Sequence, residues 1–209
     1  MNERQVLPGA ALSDIGLNLQ AVFDIAALPE EIRVTLGPAA GQLILIGHAG
    51  KRLWQAVQAS GIASSDPIDD FTIASVQRWF AEFLPGHSYR VLYPGAHPVG
   101  LQALGKLAGW HQPSPFMLGI DSEWGTWYAY RAVILADTNF LPTIAVDRNN
   151  PCTSCREKPC ITHCPAGALD GEQFSLKLCI SYRRQADSRC QFTCLARISC
   201  PVGVEHRYD

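Results

Sequence analysis

The chain has 209 residues, enough for one substantial domain and a small appendage. Its formal net charge is -2 and neither sign runs in long blocks, which argues against nucleic-acid and membrane-surface partners. The opening MNERQVLPGAALSD lacks an apolar core behind a basic start, and runs such as residues 43–46 and 132–136 are far too short to span a bilayer, so a soluble cytoplasmic protein is expected.

Residues 42–46 (QLILI) are a short, mostly apolar run closed by Gly47, which suits a buried strand, and residues 51–60 read as a short helix. Between them, Gly47-His48-Ala49-Gly50 invites a phosphate-loop reading, but it lacks the spacing of G-x-G-x-x-G or G-x-x-x-x-G-K-[ST]. A tight turn bringing backbone N–H groups near a cofactor is the remaining expectation there.

The best helix opens at Asp66-Pro67, with Asp66 as N-cap, Pro67 at the first helical position and Asp69 and Asp70 in the first turn. Phe71, Ile73, Val76, Trp79, Phe80 and Phe83 broadly follow helical spacing, and Pro85-Gly86 stops it. Residues 89–93 predict a strand and 98–108 a helix opened by Pro98. Residues 116–120 and 126–136 predict two strands around a turn at 121–125. Helices and strands mix without regular alternation, which favours an α+β fold over a doubly wound sheet.

Alternation along the last strand puts Tyr128 and Tyr130 on one face, with Trp127 and Arg131 on or near the other. One face packs the core, the default for Trp127, while the other can line a cavity for a large planar ring. Trp110 and Trp124 stand beside turns and are the better cavity candidates. Asp121 and Glu123 are candidate proton donors, although turn chemistry alone accounts for an Asp at 121.

Composition changes near residue 145. All five tryptophans precede it and all eight cysteines follow, beyond the turn-forming Asn149-Asn150-Pro151. Two domains are expected, 1–145 and 146–209. Without an export signal these thiols suit metal rather than disulfides. They read C-x2-C-x4-C-x3-C-P and then C-x10-C-x3-C-x5-C-P, a loosened form of the two-cluster ferredoxin run C-x2-C-x2-C-x3-C-P, whose fourth cysteine ligates the other cluster. The crossed pattern assigns Cys152, Cys155, Cys160 and Cys200 to one [4Fe-4S] cluster and Cys164, Cys179, Cys190 and Cys194 to the second. Two four-thiolate zinc sites are the rival, although a lone CxxC and two Cys-Pro endings fit zinc ribbons poorly. His163 reads as a loop residue. Arg183, Arg184, Arg189 and Arg197 either shield the clusters and dock an acidic donor or simply form a solvated face.

Residues 66–85, Ala96-His97-Pro98 and residues 120–135 (IDSEWGTWYAYRAVIL) resemble the CblC family of cobalamin-processing proteins over about residues 66–137. That resemblance implies a flavin-reductase/nitroreductase-like α+β domain, a corrin-facing His97, and an Arg131 at the position that holds glutathione. The cysteine segment, with CISY at residues 179–182, is similar to epoxyqueuosine reductases, which join a comparable cobalamin domain to a two-cluster ferredoxin-like module. Cobalamin-dependent reductive dehalogenases share that architecture. Epoxyqueuosine reductases carry an acid as proton donor three positions before the helix-opening proline; here Gly95 stands there.

The reading is an oxidoreductase or cofactor-processing protein that binds a corrinoid, with His97, Trp110, Trp124, Tyr130 and Arg131 as candidate contacts. Electrons enter through the clusters from a donor such as a flavodoxin or a reductase, and reduce the corrinoid or a small-molecule substrate. Two alternatives stand beside it: a non-catalytic ferredoxin-type carrier and an iron–sulfur flavoprotein holding FMN. The resemblance also allows a homodimer.

Overall fold

The structure, a computed structural model, describes residues 4–146, 148–169 and 173–207. It divides into two compact units, Met1–Ala108 with Tyr128–Val146, and Gly109–Trp127 with Asp147–Asp209.

The first unit runs α1 (Ala10–Asp14), β1 (Leu19–Asp24), α2 (Glu30–Leu36), β2 (Gln42–Ala49), α3 (Arg52–Ser60), α4 (Pro67–Phe83), β3 (Tyr89–Tyr93), α5 (Leu101–Leu107) and β4 (Tyr128–Ala136). The four strands form an antiparallel sheet in the order β1-β2-β4-β3. Every residue of β2 is buried, so its apolar run Leu43–Ile46 shows no alternation. Val22, Ile44, Ile46, Ala132, Ile134 and Ala136 share one sheet face and pack on Val76, Trp79 and Phe80 of α4 and Leu53 and Val57 of α3. Inside this core Gln42 is fully engaged. Its amide donates to Asp24 Oδ1 at 2.9 Å and to the Phe140 carbonyl at 2.8 Å, and its Oε1 accepts from Phe140 N–H and Thr138 Oγ1.

Several elements differ from the sequence expectation. β2 continues through Gly47, His48 and Ala49, which pair with Tyr130, Ala129 and Tyr128 of β4, so this stretch is strand and not a phosphate-binding turn. The register shifts between Ile46 and Gly47, leaving Arg131 as the extra residue of a bulge on β4. Asp66 precedes α4 as expected, yet its side chain makes no cap bond to the helix and instead accepts from Ser65 Oγ. Phe83 is exposed, with Thr72 and Ser75 taking buried positions on α4. α5 begins at Leu101, three residues later than Pro98. Residues 116–120 form no strand beyond a bridge from Gln112 to Ile120, and β4 pairs with β2 and β3 instead. β1, α1 and α2 are additional to the predicted elements.

The chain crosses between units more than once, where a single boundary near 145 was expected. Residues 109–127 join the cysteine-rich unit because polar side chains fasten them there. Arg148 Nη1 donates to Asp121 Oδ2 at 3.2 Å, Gln112 Nε2 to the Arg148 carbonyl, and Asn150 Nδ2 to the Pro113 carbonyl. Arg197 lies over the Trp127 ring at 4.1 Å and donates to Thr126. The rest of this unit is short helices: α6 (Pro151–Ser154), α7 (Pro159–Thr162), α8 (Leu176–Arg183) and α9 (Leu195–Ile198).

Within this unit the backbones at Gly125 and Gly203 touch. Both have positive φ, and a Cβ would stand 2.2 Å from the Val202 carbonyl oxygen at Gly125 and 2.5 Å from the Trp124 carbonyl at Gly203. Gly125→Ala and Gly203→Ala should each destabilise the unit by about 1–3 kcal/mol from backbone strain alone. Denaturant unfolding followed by tryptophan fluorescence measures this, and unchanged midpoints for both would refute the close approach.

Candidate functional site

All eight cysteines are free thiols, and the structure sorts them into two groups. Cys152, Cys155, Cys160 and Cys200 line one cavity of about 680 Å3. Cys164, Cys179, Cys190 and Cys194 line a second, smaller one of about 50 Å3. Among the described residues, no three His, Cys, Asp or Glu side chains converge closely enough to hold a single metal ion. Each set of four thiols surrounds a space instead.

Local structure sets these positions. Asn150 Oδ1 accepts from Cys152 N–H at 2.9 Å and caps α6, with Pro151 inside the cap. Pro159 opens α7, which carries Cys160. Ser175 Oγ accepts from Leu178 N–H and caps α8, which carries Cys179. Ser188 Oγ accepts from Cys190 N–H at 3.2 Å. Phe116 and Phe174 line both cavities, and buried Phe116 packs with Cys160, Leu169 and Ala196, against Cys164 and Cys194.

The thiols are costly to ionise where they stand. Burial, then the neighbouring Cys200, Cys160 and Cys155, push Cys152 up to about 11, with Lys158 opposing. Burial and Cys200 raise Cys160, and burial and Cys194 raise Cys179, where Arg183 opposes. Desolvation and like charge both disfavour a free thiolate; a bound cation reverses that balance.

The residues named for a large planar cofactor divide between the units. In the first unit, the His97 ring meets the Thr35 carbonyl at 2.7 Å. Arg131 Nε donates to His48 Nδ1 at 2.8 Å, so that nitrogen accepts and the ring proton sits on Nε2. Tyr130 lies so close to Gly105 that a Cβ there would stand 2.0 Å from its hydroxyl. Burial raises Tyr130 to about 12, and its bond with Tyr128 opposes the shift. In the second unit, the Trp124 ring meets that of His206 with centres 4.2 Å apart and planes tilted by 39°, and Trp110 is half-buried.

Asp121 is 4% exposed and accepts from the N–H groups of Glu123 and Trp124 and from Arg148. It is the keystone of its turn, and exposed Glu123 faces Arg148 at 3.6 Å. Exposed His163 meets the Pro159 carbonyl, a loop contact. Of the four arginines, Arg183 lines the second thiol cavity, whereas Arg197 is tied to Thr126 and Trp127. Two residues escaped the sequence reading. His48 was hidden in an assumed turn, and Phe116 in an assumed strand; an aromatic directly after the Pro113–Pro115 stretch was the available signal for the second.

With this geometry in view, known structures give a match. The fold resembles that of epoxyqueuosine reductases. A crystal structure of epoxyqueuosine reductase with a tRNA-Tyr epoxyqueuosine-modified stem loop matches at a TM-score of 0.60 and 15% identity, covering 95% of this chain and 64% of that one. The epoxyqueuosine reductase of Bacillus subtilis matches at 0.59 and 14% identity, over 95% of this chain and 64% of that one. The B12-trafficking protein CblC of C. elegans matches at 0.47 and 14% identity, over 68% of this chain and 72% of that one. The chain thus spans 64% of the length of those reductases. No family model matches the sequence, and no curated protein does.

Two outcomes test the side-chain placements. Tyr130 should stay protonated until the pH nears about 12, above the ordinary tyrosine value of about 10. A raised folded-state value favours folding below pH ~10, and that contribution is lost as pH rises toward the folded value. Difference absorbance of wild type against Tyr130→Phe should show this late titration; a titration near pH 10 would contradict burial. Phe116→Ala should open the wall common to both thiol cavities and destabilise the unit by about 3–5 kcal/mol. A loss below about 1 kcal/mol in denaturant unfolding would mean that Phe116 is not packed between them.

Proposed function

We propose that the chain is an iron–sulfur redox protein linked to a corrinoid. In this reading, Cys152, Cys155, Cys160 and Cys200 hold one [4Fe-4S] cluster, and Cys164, Cys179, Cys190 and Cys194 hold the other. The carrying observation is the sorting of eight free thiols, four and four, around two cavities. The sorting crosses the sequence runs, with Cys200 joining the first three cysteines and Cys164 the later ones, as the two-cluster ferredoxin pattern requires.

The donor chemistry fits the group. Four thiols spread around a space suit a four-iron cubane, whereas one zinc ion draws its sulfurs to about 2.3 Å. Bound clusters supply one-electron carriage, at potentials reaching several hundred millivolts below zero. The chain's residues hold them and shape their surroundings. Phe116 and Phe174 wall both sites with apolar surface, and Lys158 and Arg183 offset the charge of the ligating thiolates.

The corrinoid is supported by the fold and by the sequence resemblance rather than by converged side chains. His97, Tyr130 and Arg131 already have partners within their own unit, as Trp124 has in the other. A bound corrinoid supplies the cobalt chemistry, and the protein positions it and excludes water.

Anaerobic reconstitution should give about eight irons and eight sulfides per chain, with broad absorbance near 400 nm, and Cys160→Ala should lose about half of each. Zinc binding without acid-labile sulfide would sink the cluster assignment. Adding cob(II)alamin, and FMN separately, then decides the acceptor. A shift of the cob(II)alamin spectrum is expected; a shift with FMN alone makes the protein a flavoprotein, and no shift with either makes it an electron carrier.

A further inference from the structure

Helix α8 has two different sides. Cys179, Tyr182 and Arg183 line the second thiol cavity. At 3.6 residues per turn, Lys177, Ile180 and Arg184 fall on the side away from it. That side is uncovered. None of the residues of α8 is buried, Leu176 is 60% exposed, and Phe192, in the loop between Cys190 and Cys194, is 92% exposed. Exposed Arg189 lies in the same stretch, where Asp187 is the acidic residue against Lys177, Arg183, Arg184 and Arg189. Basic side chains at a helix C-terminus also complement its dipole, which accounts for Arg183 and Arg184 but not for Lys177, Arg189 or the bare apolar groups.

We infer that the outer face of α8 is the docking surface for an acidic protein that delivers single electrons to the cluster held by Cys164, Cys179, Cys190 and Cys194. The inference rests on the iron–sulfur reading above. Charge complementarity selects the occupant: exposed Lys177 and Arg184 beside exposed Ile180 suit a partner that presents acidic side chains next to an apolar contact. The position suits the transfer, because Cys179 lies across one helix from this face, and a helix with its side chains is about 10–12 Å thick. The step is simple to balance. One electron leaves a reduced flavin in the donor and one cluster gains it; no bond forms or breaks and no proton moves.

The test uses the reconstituted full chain and photoreduced flavodoxin as donor, with dithionite as a small reductant that needs no docking. In the double variant Lys177→Glu/Arg184→Glu, cluster reduction by flavodoxin should slow at least about tenfold at low salt. The difference should shrink as ionic strength rises, while the dithionite rate and the iron and sulfide content stay at wild-type levels. Ile180→Ser should slow the flavodoxin reaction in a salt-independent way. Equal flavodoxin rates in wild type and both variants, with clusters intact, would overturn the docking surface and leave the cluster assignment standing. Weakened binding of an RNA stem loop or dissociation of a dimer in these variants, with donor rates unchanged, would also overturn it by assigning the face to another occupant. Protein lacking sulfide would overturn both readings together.

Discussion

The arrangement of the cysteine-rich unit depends on holding eight thiols close together among short elements. Among the described residues, one buried cluster joins Phe116, Cys160, Leu169 and Ala196, and three of the unit's four α-helices are single turns. Helices that short are not stable alone, because nucleation costs more than one turn returns. The thiols add a penalty of their own, since burial and mutual repulsion raise Cys152, Cys160 and Cys179. Small domains with such cores normally fold around disulfides or metal. Binding of metal to such thiols removes their protons and offsets their mutual repulsion. Structure and chemistry therefore point the same way.

The α+β unit has no such dependence. Its sheet is held by a fully buried central strand, by side chains from α3 and α4, and by a Gln42 amide whose hydrogen-bonding groups are satisfied on both sides. The bulge at Arg131 is the one irregularity between β2 and β4, and it coincides with the Arg131–His48 contact. Bulges re-aim side chains, and this one takes an arginine out of the regular alternation that the sequence implied. No helix among the described residues is long and apolar enough to cross a membrane.

What could be read in advance followed the strength of the local signal. α4 was legible because Pro67, the acidic first turn and the apolar spacing agree, and β2 because an apolar run of that length has few other uses. The end of β2 was not legible. Gly47 and Gly50 look like a turn, but strand pairing to Tyr128–Tyr130, invisible to local pattern, carries the chain on to Ala49. β1 was missed because it pairs with a strand separated from it by a helix and its connections, and its own burial is only partial. The strand predicted at 116–120 failed for another reason: Phe116 packs against the cysteines, Met117 and Leu118 are exposed, and an aromatic residue packed against sulfur has no period to detect. The cysteine grouping came from the crossed ferredoxin pattern, in which a distant cysteine completes each set, whereas the corrin candidates came from single residues with no spacing constraint.

The polar groups near these sites also bear on what kind of chemistry the protein supports. A reductase that adds hydrogen to a substrate needs a positioned acid as well as electrons. Gly95 supplies none, and a Cβ there would stand 3.0 Å from the Leu92 carbonyl oxygen, so a side chain would press on the backbone. Asp121, the buried alternative, is committed to two backbone N–H groups and to Arg148. Glu123 is exposed and faces the same guanidinium. Electron delivery that changes a metal's oxidation state or releases a ligand asks for no such acid. Asp121 and Glu123 are thus both tied to Arg148, so the acidic side chains of this turn serve its structure.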